Sequence, residues 1–330
     1  MIVLIFGSRP EAIKLGPVAA ELRAVGANFR VIATGQHTDL LRGTPAETDL
    51  ADAVALGVPA RGDPLRWPAM VAPRIARELR ALEASLVVVQ GDTMSALAGA
   101  YAARALGLPL AHVEAGVRSG SLDEPWPEEG FRREITTLAA LHLAATPTAY
   151  ANLLAEGVLA RDIRLTGNPV VSARARYAEI EARPPQPYLV VTMHRREWRE
   201  QHEPRAFLRA LERCAEARPY LDIIWPVHPA VAPALPRRSD AQNVWLEKPL
   251  PYAEMIGVLR SACGVVTDSG GLVEEAATLG IPTAILRRHN ARPAAVAAGV
   301  AVRCAPDEHG VPLAVDARAQ VALLQPLGEL

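Results

Sequence analysis

The chain has few cysteines and few lysines. Only Cys214, Cys263 and Cys304 occur among its 330 residues, and they form no CxxC or Cys/His cluster. An odd number of widely separated cysteines argues against both a disulfide framework and a structural zinc site. Lys14 and Lys248 are the only lysines among the 35 basic residues. We therefore expect neither a disulfide scaffold nor a metal.

The sequence also lacks a long apolar run and an excess of one charge. No stretch approaches the roughly 20 apolar residues that a membrane-spanning helix needs. The net charge is −1, which favours neither nucleic acid nor an anionic membrane as a partner. The strand-like run Ile2–Phe6 follows Met1 without a basic region, so we expect no signal peptide. These absences predict a cytoplasmic enzyme.

Short apolar runs alternate with helical stretches along the whole chain, which is typical of parallel βαβ units. The length suggests about two domains. The pattern restarts after the proline-rich stretch Glu181–Pro187. We place the boundary at Gly167–Asn168, which gives domains 1–167 and 168–330. The prediction is an α/β fold of two Rossmann-like domains, with parallel sheets facing a central cleft.

The pattern also predicts the bounds of individual elements. In the first half, strands are predicted at Ile2–Phe6, Phe29–Thr34, Leu86–Gln90, Leu110–Val113 and His142–Ala145, and helices at Pro10–Val25, Trp67–Leu82, Ser95–Leu106, Gly130–Leu141 and Tyr150–Glu156. In the second half, strands are predicted at Tyr188–Met193, Leu221–Pro226, Val244–Leu246, Gly264–Thr267 and Thr283–Leu286, and helices at Phe207–Ala217, Tyr252–Ser261 and Leu272–Leu279.

Three acidic residues occupy positions suited to proton transfer. Asp92 and Glu114 each follow a strand-like run, and Glu128 precedes a predicted helix. Ligands of open α/β sheets bind outside the carboxyl ends of the strands, and neighbouring carboxylates can hold different protonation states. Structural alternatives remain open: Asp92 can cap a helix, Glu114 can pair with Arg118, and Glu128 and Glu129 can be solvated charges.

The segment FGSRPEAIKLGP predicts a strand, a turn and a helix. Backbone amides at the start of that helix can hold an anion, with Arg9 and Lys14 adding positive charge. An ordinary strand–helix turn is the alternative. The segment is not a GxGxxG fingerprint, so no dinucleotide site is predicted.

A glycine-rich entry to a second helix, TDSGGLVEEAATLG, favours nucleotide binding. Ser269 is a good helix cap. Gly270 and Gly271 lack side chains, so a phosphate can approach the helix start closely. Glu275 follows one turn later, where it can reach ribose hydroxyls. The alternative is a well-capped helix without a ligand.

Three further basic motifs follow strands or precede a helix in the second half. His194 and Arg195 in TMHRREW are placed to bind a diphosphate. His228 in WPVHP is placed similarly, and Arg292 in NARPAAVAAG precedes a predicted helix. The alternatives are a basic loop, a structural histidine and a surface arginine.

Eight motifs together resemble the UDP-N-acetylglucosamine 2-epimerase family, in its bacterial non-hydrolysing branch. They are GSRPEAIKLGP, VVVQGDT, HVEAGVRSG, PWPEEGFRR, MHRRE, PVHP, TDSGGLVEEA and ARPAAVAAG, in that order. The resemblance extends from Met1 to about Gly299. It implies a GT-B-like fold, no metal or nicotinamide cofactor, UDP-GlcNAc and UDP-ManNAc as ligands, and a homodimer.

The resemblance also assigns roles to individual residues. The implied catalytic residues are Asp92, Glu114, Glu128 and His194, and the implied substrate-binding residues are Arg9, Lys14, His228, Ser269, Gly270, Gly271, Glu275 and Arg292. In the implied reaction, a base removes the C2 proton while UDP leaves C1, and UDP then adds back to the 2-acetamidoglucal. Four other interpretations stay open: a hydrolysing epimerase, an enzyme for a more modified UDP-sugar, a GT-B glycosyltransferase and an inactive UDP-sugar-binding protein.

The sequence departs from the family pattern at three places. Thr38, Asp39 and Leu40 stand where many members carry polar residues that hold a second, activating UDP-GlcNAc, which argues against that site. Ala291 and Ala294 replace acidic neighbours of Arg292. The chain stops at Leu330, before the family's usual terminal helix, so we expect altered cleft closure or a boundary supplied by a partner subunit.

Overall fold

The chain forms two compact units, Met1–Arg176 and Tyr177–Leu330. The domain boundary at Gly167–Asn168 stays a prediction. The structure is a computed structural model, and it describes residues 1–35, 44, 46–123, 125–175, 187–194 and 204–286, together with the backbone of residues 301–303.

The first unit contains a seven-stranded sheet in which every paired strand is parallel, with the order β3-β2-β1-β4-β5-β6-β7. This is the strand order of a Rossmann sheet, extended by one strand. The strands are β1 (Ile2–Phe6), β2 (Phe29–Ala33), β3 (Val54–Ala55), β4 (Leu86–Gln90), β5 (Leu110–Ala115), β6 (Leu141–Ala144) and β7 (Ile163–Leu165).

Helices cover both faces of this sheet. On one face, Trp67 and Ile75 of α3 pack with α4 and α5 against the sheet. On the other face, Leu15 of α1 and the buried Leu50 complete a second core. The described helices are α1 (Arg9–Ala24), α2 (Ala46–Asp49), α3 (Trp67–Ala81), α4 (Met94–Leu106), α5 (Glu128–Leu138), α6 (Pro147–Ala155) and α7 (Val170–Ala175).

The second unit repeats the same strand order in a six-stranded parallel sheet, β10-β9-β8-β11-β12-β13. Its core packs Phe207 edge-on against Trp225, with ring centroids 5.4 Å apart. The strands are β8 (Tyr188–Thr192), β9 (Asp222–Pro226), β10 (Val244–Glu247), β11 (Gly264–Thr267), β12 (Thr283–Ile285) and β13 (Ala301–Arg303), and the described helices are α8 (Pro204–Glu216), α9 (Tyr252–Arg260) and α10 (Gly270–Thr278).

The predicted α/β architecture with parallel sheets is confirmed, and β4 and β11 have the predicted bounds. The short elements α2, β3, β7, α7 and β13 were not predicted, because two to six residues carry too little periodicity. Helix α5 begins at Glu128 rather than at Gly130, so Glu128 lies in its first turn. Among the described residues, no helix is long and apolar enough to cross a membrane.

Candidate active site

Candidate residues of each unit lie where the strand order reverses. In the first unit this point lies between β1 and β4, which are followed by residues 7–9 and 91–93. In the second it lies between β8 and β11, which are followed by His194 and residues 268–271. Ligands of open α/β sheets bind in the crevice at such a switch point. The fold therefore gives each unit one place where its polar residues can meet a ligand.

Glu114 is turned away from the face that regular strand alternation would give it. Leu110 lies four residues before Glu114 in β5, so regular alternation would put both side chains on the same face. Leu110 belongs to the core shared with α3, α4 and α5. Glu114 instead contacts α1, where Lys14 Nζ lies 2.5 Å from its Oε2 atom. Its φ of +65° coincides with a register shift between Val113 and Ala115. Bulges of this kind re-aim side chains.

The Glu114–Lys14 pair is buried, with side chains 3% and 7% exposed. Gln90, the last residue of β4, also donates a hydrogen bond to Glu114 Oε2. Two of the predicted site residues are thus in direct contact. The alternative in which Glu114 pairs with Arg118 is wrong, because Arg118 forms a two-pronged contact with Glu156.

Asp92 follows β4 and forms an ion pair with Arg132 of α5. Arg132 also contacts Glu129 at 2.8 Å, and Glu129 accepts a hydrogen bond from the Ser119 amide at 3.0 Å. Glu129 is fully buried, so its interpretation as a solvated charge is wrong. Asp92 does not cap α4, because Thr93 is the N-cap.

Glu128 and Arg9 each lie at the start of a helix. Glu128 is the first residue of α5, one turn before Arg132, and its Oε2 atom is buried. Arg9 is the first residue of α1 and is partly exposed. Arg132 connects Asp92 to α5, the helix that begins at Glu128.

His112 supports the turn that carries Asp92. Its Nε2 atom lies 2.8 Å from the Gly91 carbonyl oxygen, which can only accept, so Nε2 carries the hydrogen. Burial lowers the pKa of His112 to about 4, against the opposing effect of that hydrogen bond. His112 is therefore neutral near pH 7 and holds the Gly91 carbonyl without a charge.

Glu11 joins the two turns that follow β1 and β4. Its Oε2 atom accepts hydrogen bonds from the Gly7 and Ser8 amides at 3.0 and 2.7 Å, and its Oε1 atom accepts one from the Thr93 hydroxyl at 2.6 Å. Ser8 is the N-cap of α1. Burial raises the pKa of Glu11 to about 7, although all of these hydrogen bonds favour the ionised form.

This raised pKa gives a testable dependence of stability on pH. Unfolded Glu11 ionises near pH 4.5, whereas the folded residue keeps its proton up to about pH 7. Its contribution to stability is fully present below pH 4.5 and is lost as the pH rises through 7. Glu11→Gln cannot ionise, so it should gain about 3 kcal/mol relative to wild type across this window. Urea unfolding at several pH values measures the difference.

Glu21→Gln is the matched control, because Glu21 lies on the same helix and is exposed. The stability of this variant should follow wild type at every pH. Parallel pH profiles for Glu11→Gln and wild type would contradict the prediction.

In the second unit, the carboxylate of Asp268 orients His194. Asp268 is fully buried and lies 2.7 Å from His194 Nδ1, and it accepts a hydrogen bond from the His194 amide at 2.8 Å. A carboxylate on one ring nitrogen fixes the orientation of an imidazole. Asp268 thereby leaves Nε2 as the ring nitrogen that can face a ligand. The His228 ring lies 5.8 Å from the His194 ring, so these two predicted residues are neighbours.

The glycine-rich entry to α10 has the predicted cap. Ser269 is the N-cap, and its hydroxyl accepts a hydrogen bond from the Leu272 amide at 3.4 Å. A side chain at Gly270 would meet no atom within 4 Å, so the helix start is open at that point. Glu275 is buried one turn into the helix. Arg195 and Arg292 lie outside the described residues.

The roles of Glu11, Arg132 and Asp268 were not predicted from the sequence. Ser8 and Glu11 have the S-x-x-E spacing of a capping box, which identifies Glu11 as a helix-start residue. Arg132 is four residues after Glu128, on the same helical face. Asp268 directly follows the strand β11, which is the signal that could have identified it. Within the described ranges, no group of three or more His, Cys, Asp or Glu residues is arranged to hold a metal.

Two parallel α/β sheets, each with polar residues at its switch point, define a GT-B-like protein. The family model for UDP-N-acetylglucosamine 2-epimerase matches residues 20–323. A probable UDP-N-acetylglucosamine 2-epimerase of Ralstonia nicotianae is 36% identical over 319 residues, which cover 90% of this chain and 85% of the relative. The chain belongs to the UDP-N-acetylglucosamine 2-epimerase family.

Solved structures agree with this assignment. A putative UDP-N-acetylglucosamine 2-epimerase of Listeria monocytogenes has a TM-score of 0.88 at 28% identity, covering 98% of this chain and 87% of that one. The UDP-GlcNAc 2-epimerase of Neisseria meningitidis, solved with UDP-GlcNAc bound, has a TM-score of 0.84 at 26% identity, covering 99% of this chain and 90% of that one.

Proposed function

We propose that the chain is a UDP-GlcNAc 2-epimerase, an isomerase that interconverts UDP-GlcNAc and UDP-ManNAc. The observation that carries this proposal is the placement of Glu114, whose backbone leaves the regular strand so that its carboxylate meets Lys14 of α1 and Gln90 at the end of β4. A left-handed backbone at a non-glycine residue is uncommon and costs energy. Family membership supplies the substrate class, since the Neisseria meningitidis relative binds UDP-GlcNAc.

The proposed reaction is an elimination followed by an addition. A carboxylate removes the C2 proton, the C2–H electron pair forms the C1–C2 double bond, and the C1–O pair leaves with UDP. UDP then adds back to C1 while a proton returns to the opposite face of C2. One carboxylate is needed on each face of C2, and we propose that this pair comes from the three residues Asp92, Glu114 and Glu128.

The second unit is proposed to hold the UDP leaving group. His194, oriented by Asp268, presents Nε2 to the diphosphate, and the amides that start α10 at Gly270 and Gly271 add positive dipoles. Such donors stabilise the charge that develops on a departing diphosphate. Glu275 is proposed to bind the ribose hydroxyls, and Arg9, Arg195, His228 and Arg292 to complete the binding of substrate.

The proposal is tested by incubating the protein with UDP-GlcNAc in deuterated water. We expect one deuterium at C2 of the recovered UDP-sugars and a mixture of UDP-GlcNAc and UDP-ManNAc, detected by NMR and mass spectrometry. Failure to incorporate deuterium would refute the epimerase. Release of free ManNAc and UDP would identify a hydrolysing enzyme instead.

We also propose that the enzyme works in the cytoplasm as a homodimer. The support is the resemblance of its motifs to the bacterial family. A monomeric mass at equilibrium in the ultracentrifuge would refute the dimer.

A further inference from the structure

In both units, one carboxylate links the segments that follow the first and fourth strands. In the second unit Asp268 contacts His194. In the first unit Glu11 contacts Thr93, the residue directly after Asp92. Both contacts join the segments after the first and fourth strands of the same strand order, but the carboxylate follows the fourth strand in the second unit and the first strand in the first unit. Glu11 is therefore connected to the residue next to Asp92.

Glu11 is held entirely by neutral donors. It is 1% exposed, and both of its oxygens accept hydrogen bonds, from Gly7 and Ser8 on one side and from Thr93 on the other. Among the described residues, no basic side chain forms an ion pair with it. Its fixed neighbours give the carboxylate one orientation, and the 2.6 Å contact passes that orientation to Thr93.

The Thr93 hydroxyl is held from two directions. It donates to Glu11 and accepts a hydrogen bond from the Ala96 amide at 3.1 Å. The backbone of Thr93 is continuous with Asp92, so a shift of the hydroxyl moves the catalytic carboxylate. Thr93 thus connects Asp92 both to its own helix and to the start of α1.

The two turns also pack without space between them. A side-chain carbon on Gly7 would lie 1.9 Å from Ser95 Oγ and 2.2 Å from Thr34 Oγ1. The turn after β1 therefore lies directly against the first turn of α4. Glu11 connects the two turns through its hydrogen bond with Thr93, the residue next to Asp92.

Each residue of the turn 91–93 has its own support. His112 holds the Gly91 carbonyl, Arg132 holds the Asp92 carboxylate, and Glu11 holds the Thr93 hydroxyl. Of the three, Glu11 is the one that connects the turn to α1, the helix that also carries Lys14. It therefore ties the Asp92 turn to the Lys14–Glu114 pair.

We propose that Glu11 is a positioning residue that acts through the Thr93 hydroxyl to hold Asp92 where it can transfer a proton at C2 of the nucleotide sugar. This rests on the proposed function, since it requires Asp92 to act on the substrate. Because Glu11 is only 1% exposed, we expect it to contact neither the sugar nor UDP. Its loss should therefore lower kcat and leave KM nearly unchanged.

Thr93→Val tests the contact, because valine keeps the shape of threonine and removes the hydroxyl. Misplacement of a reacting group by about 1 Å costs on the order of 100-fold in rate. We expect kcat for deuterium exchange at C2 to fall by at least about 10-fold, with KM for UDP-GlcNAc changing by less than about 3-fold. Thr93→Ser keeps the hydroxyl and should stay within about 3-fold of wild type.

Thr146→Val controls for the lost helix cap. Thr146 caps α6 as Thr93 caps α4, accepting a hydrogen bond from the Ala149 amide at the same 3.1 Å. It should lower stability as Thr93→Val does while kcat stays at the wild-type value. Equal losses of kcat in the two valine variants, at equal folded fractions, would overturn the proposal.

Glu11→Gln can still accept from both amides and donate to Thr93, so this variant should keep kcat within about 5-fold of wild type. A double-mutant cycle with Glu11→Ala tests whether the two residues act as a unit, because alanine removes the contact and should by itself lower kcat by at least about 10-fold. Added to Thr93→Val, Glu11→Ala should cause no further loss, because the contact is already gone. Multiplicative losses, or a change in KM instead of kcat, would overturn the proposal. Absence of exchange in wild type would refute the proposed function itself.

Discussion

Asp92→Asn should reduce deuterium incorporation at C2 of UDP-GlcNAc by about 100-fold to 10 000-fold, the range that general acid–base catalysis contributes. Asparagine cannot take up the C2 proton. Its amide oxygen can still accept a hydrogen bond from Arg132, so the fold around α5 should be kept. We expect UDP binding, measured by calorimetry, to stay within about 3-fold of wild type because the diphosphate is proposed to bind the other unit.

Asp52→Asn is the matched control for this substitution. Asp52 is exposed in the same unit, and its substitution should leave exchange and binding unchanged. If Asp92→Asn abolishes UDP binding or unfolds the chain, Asp92 has a structural role. If exchange continues at the wild-type rate, proton transfer belongs to another group.

Lys14→Met should destabilise the protein by about 3–5 kcal/mol, the usual cost of leaving one partner of a buried ion pair without the other. The Glu114 carboxylate would remain 3% exposed beside Gln90, without the ammonium group at 2.5 Å. Urea unfolding followed by circular dichroism measures the loss. Adding Glu114→Gln should recover part of it, because that change removes the buried charge.

Arg77→Met provides the comparison with an exposed pair. Arg77 lies 3.2 Å from Glu78, with a side chain that is 77% exposed. Exposed pairs contribute at most about 1 kcal/mol, so this variant should differ little from wild type. If the two methionine variants lose the same free energy of unfolding, the buried Lys14–Glu114 pair matters no more to stability than an exposed pair, and the prediction is wrong.

The alternation of apolar runs and helical stretches was sufficient to predict the fold class. Strands such as β4 and β11 are buried on both faces, so their apolar runs are continuous and their ends are sharply marked. Helix α5 was placed two residues late because its first turn contains Glu128 and Glu129, which look like loop residues in a sequence. In the structure Glu129 is fully buried and paired with Arg132.

The partners of the candidate residues were harder to predict, since they come from distant parts of the chain. Lys14 and Glu114 are 100 residues apart, and His194 and Asp268 are 74 apart. Motifs identified the residue types at strand ends. The three-dimensional arrangement then determined which pairs met. The direction of Glu114 could not be predicted, because strand periodicity assigns it to the opposite face.

The left-handed residue at Glu114 limits how this part of the chain can vary between relatives. Loops after strands usually accept insertions and deletions, but Glu114 lies within β5. Here one extra or missing residue between Leu110 and Glu114 would move the side chains of the strand to the opposite faces of the sheet. The apolar residues that cover α1 would then turn towards α4, and the carboxylate would leave Lys14. The end of β5 can therefore change in composition during evolution while its length stays fixed.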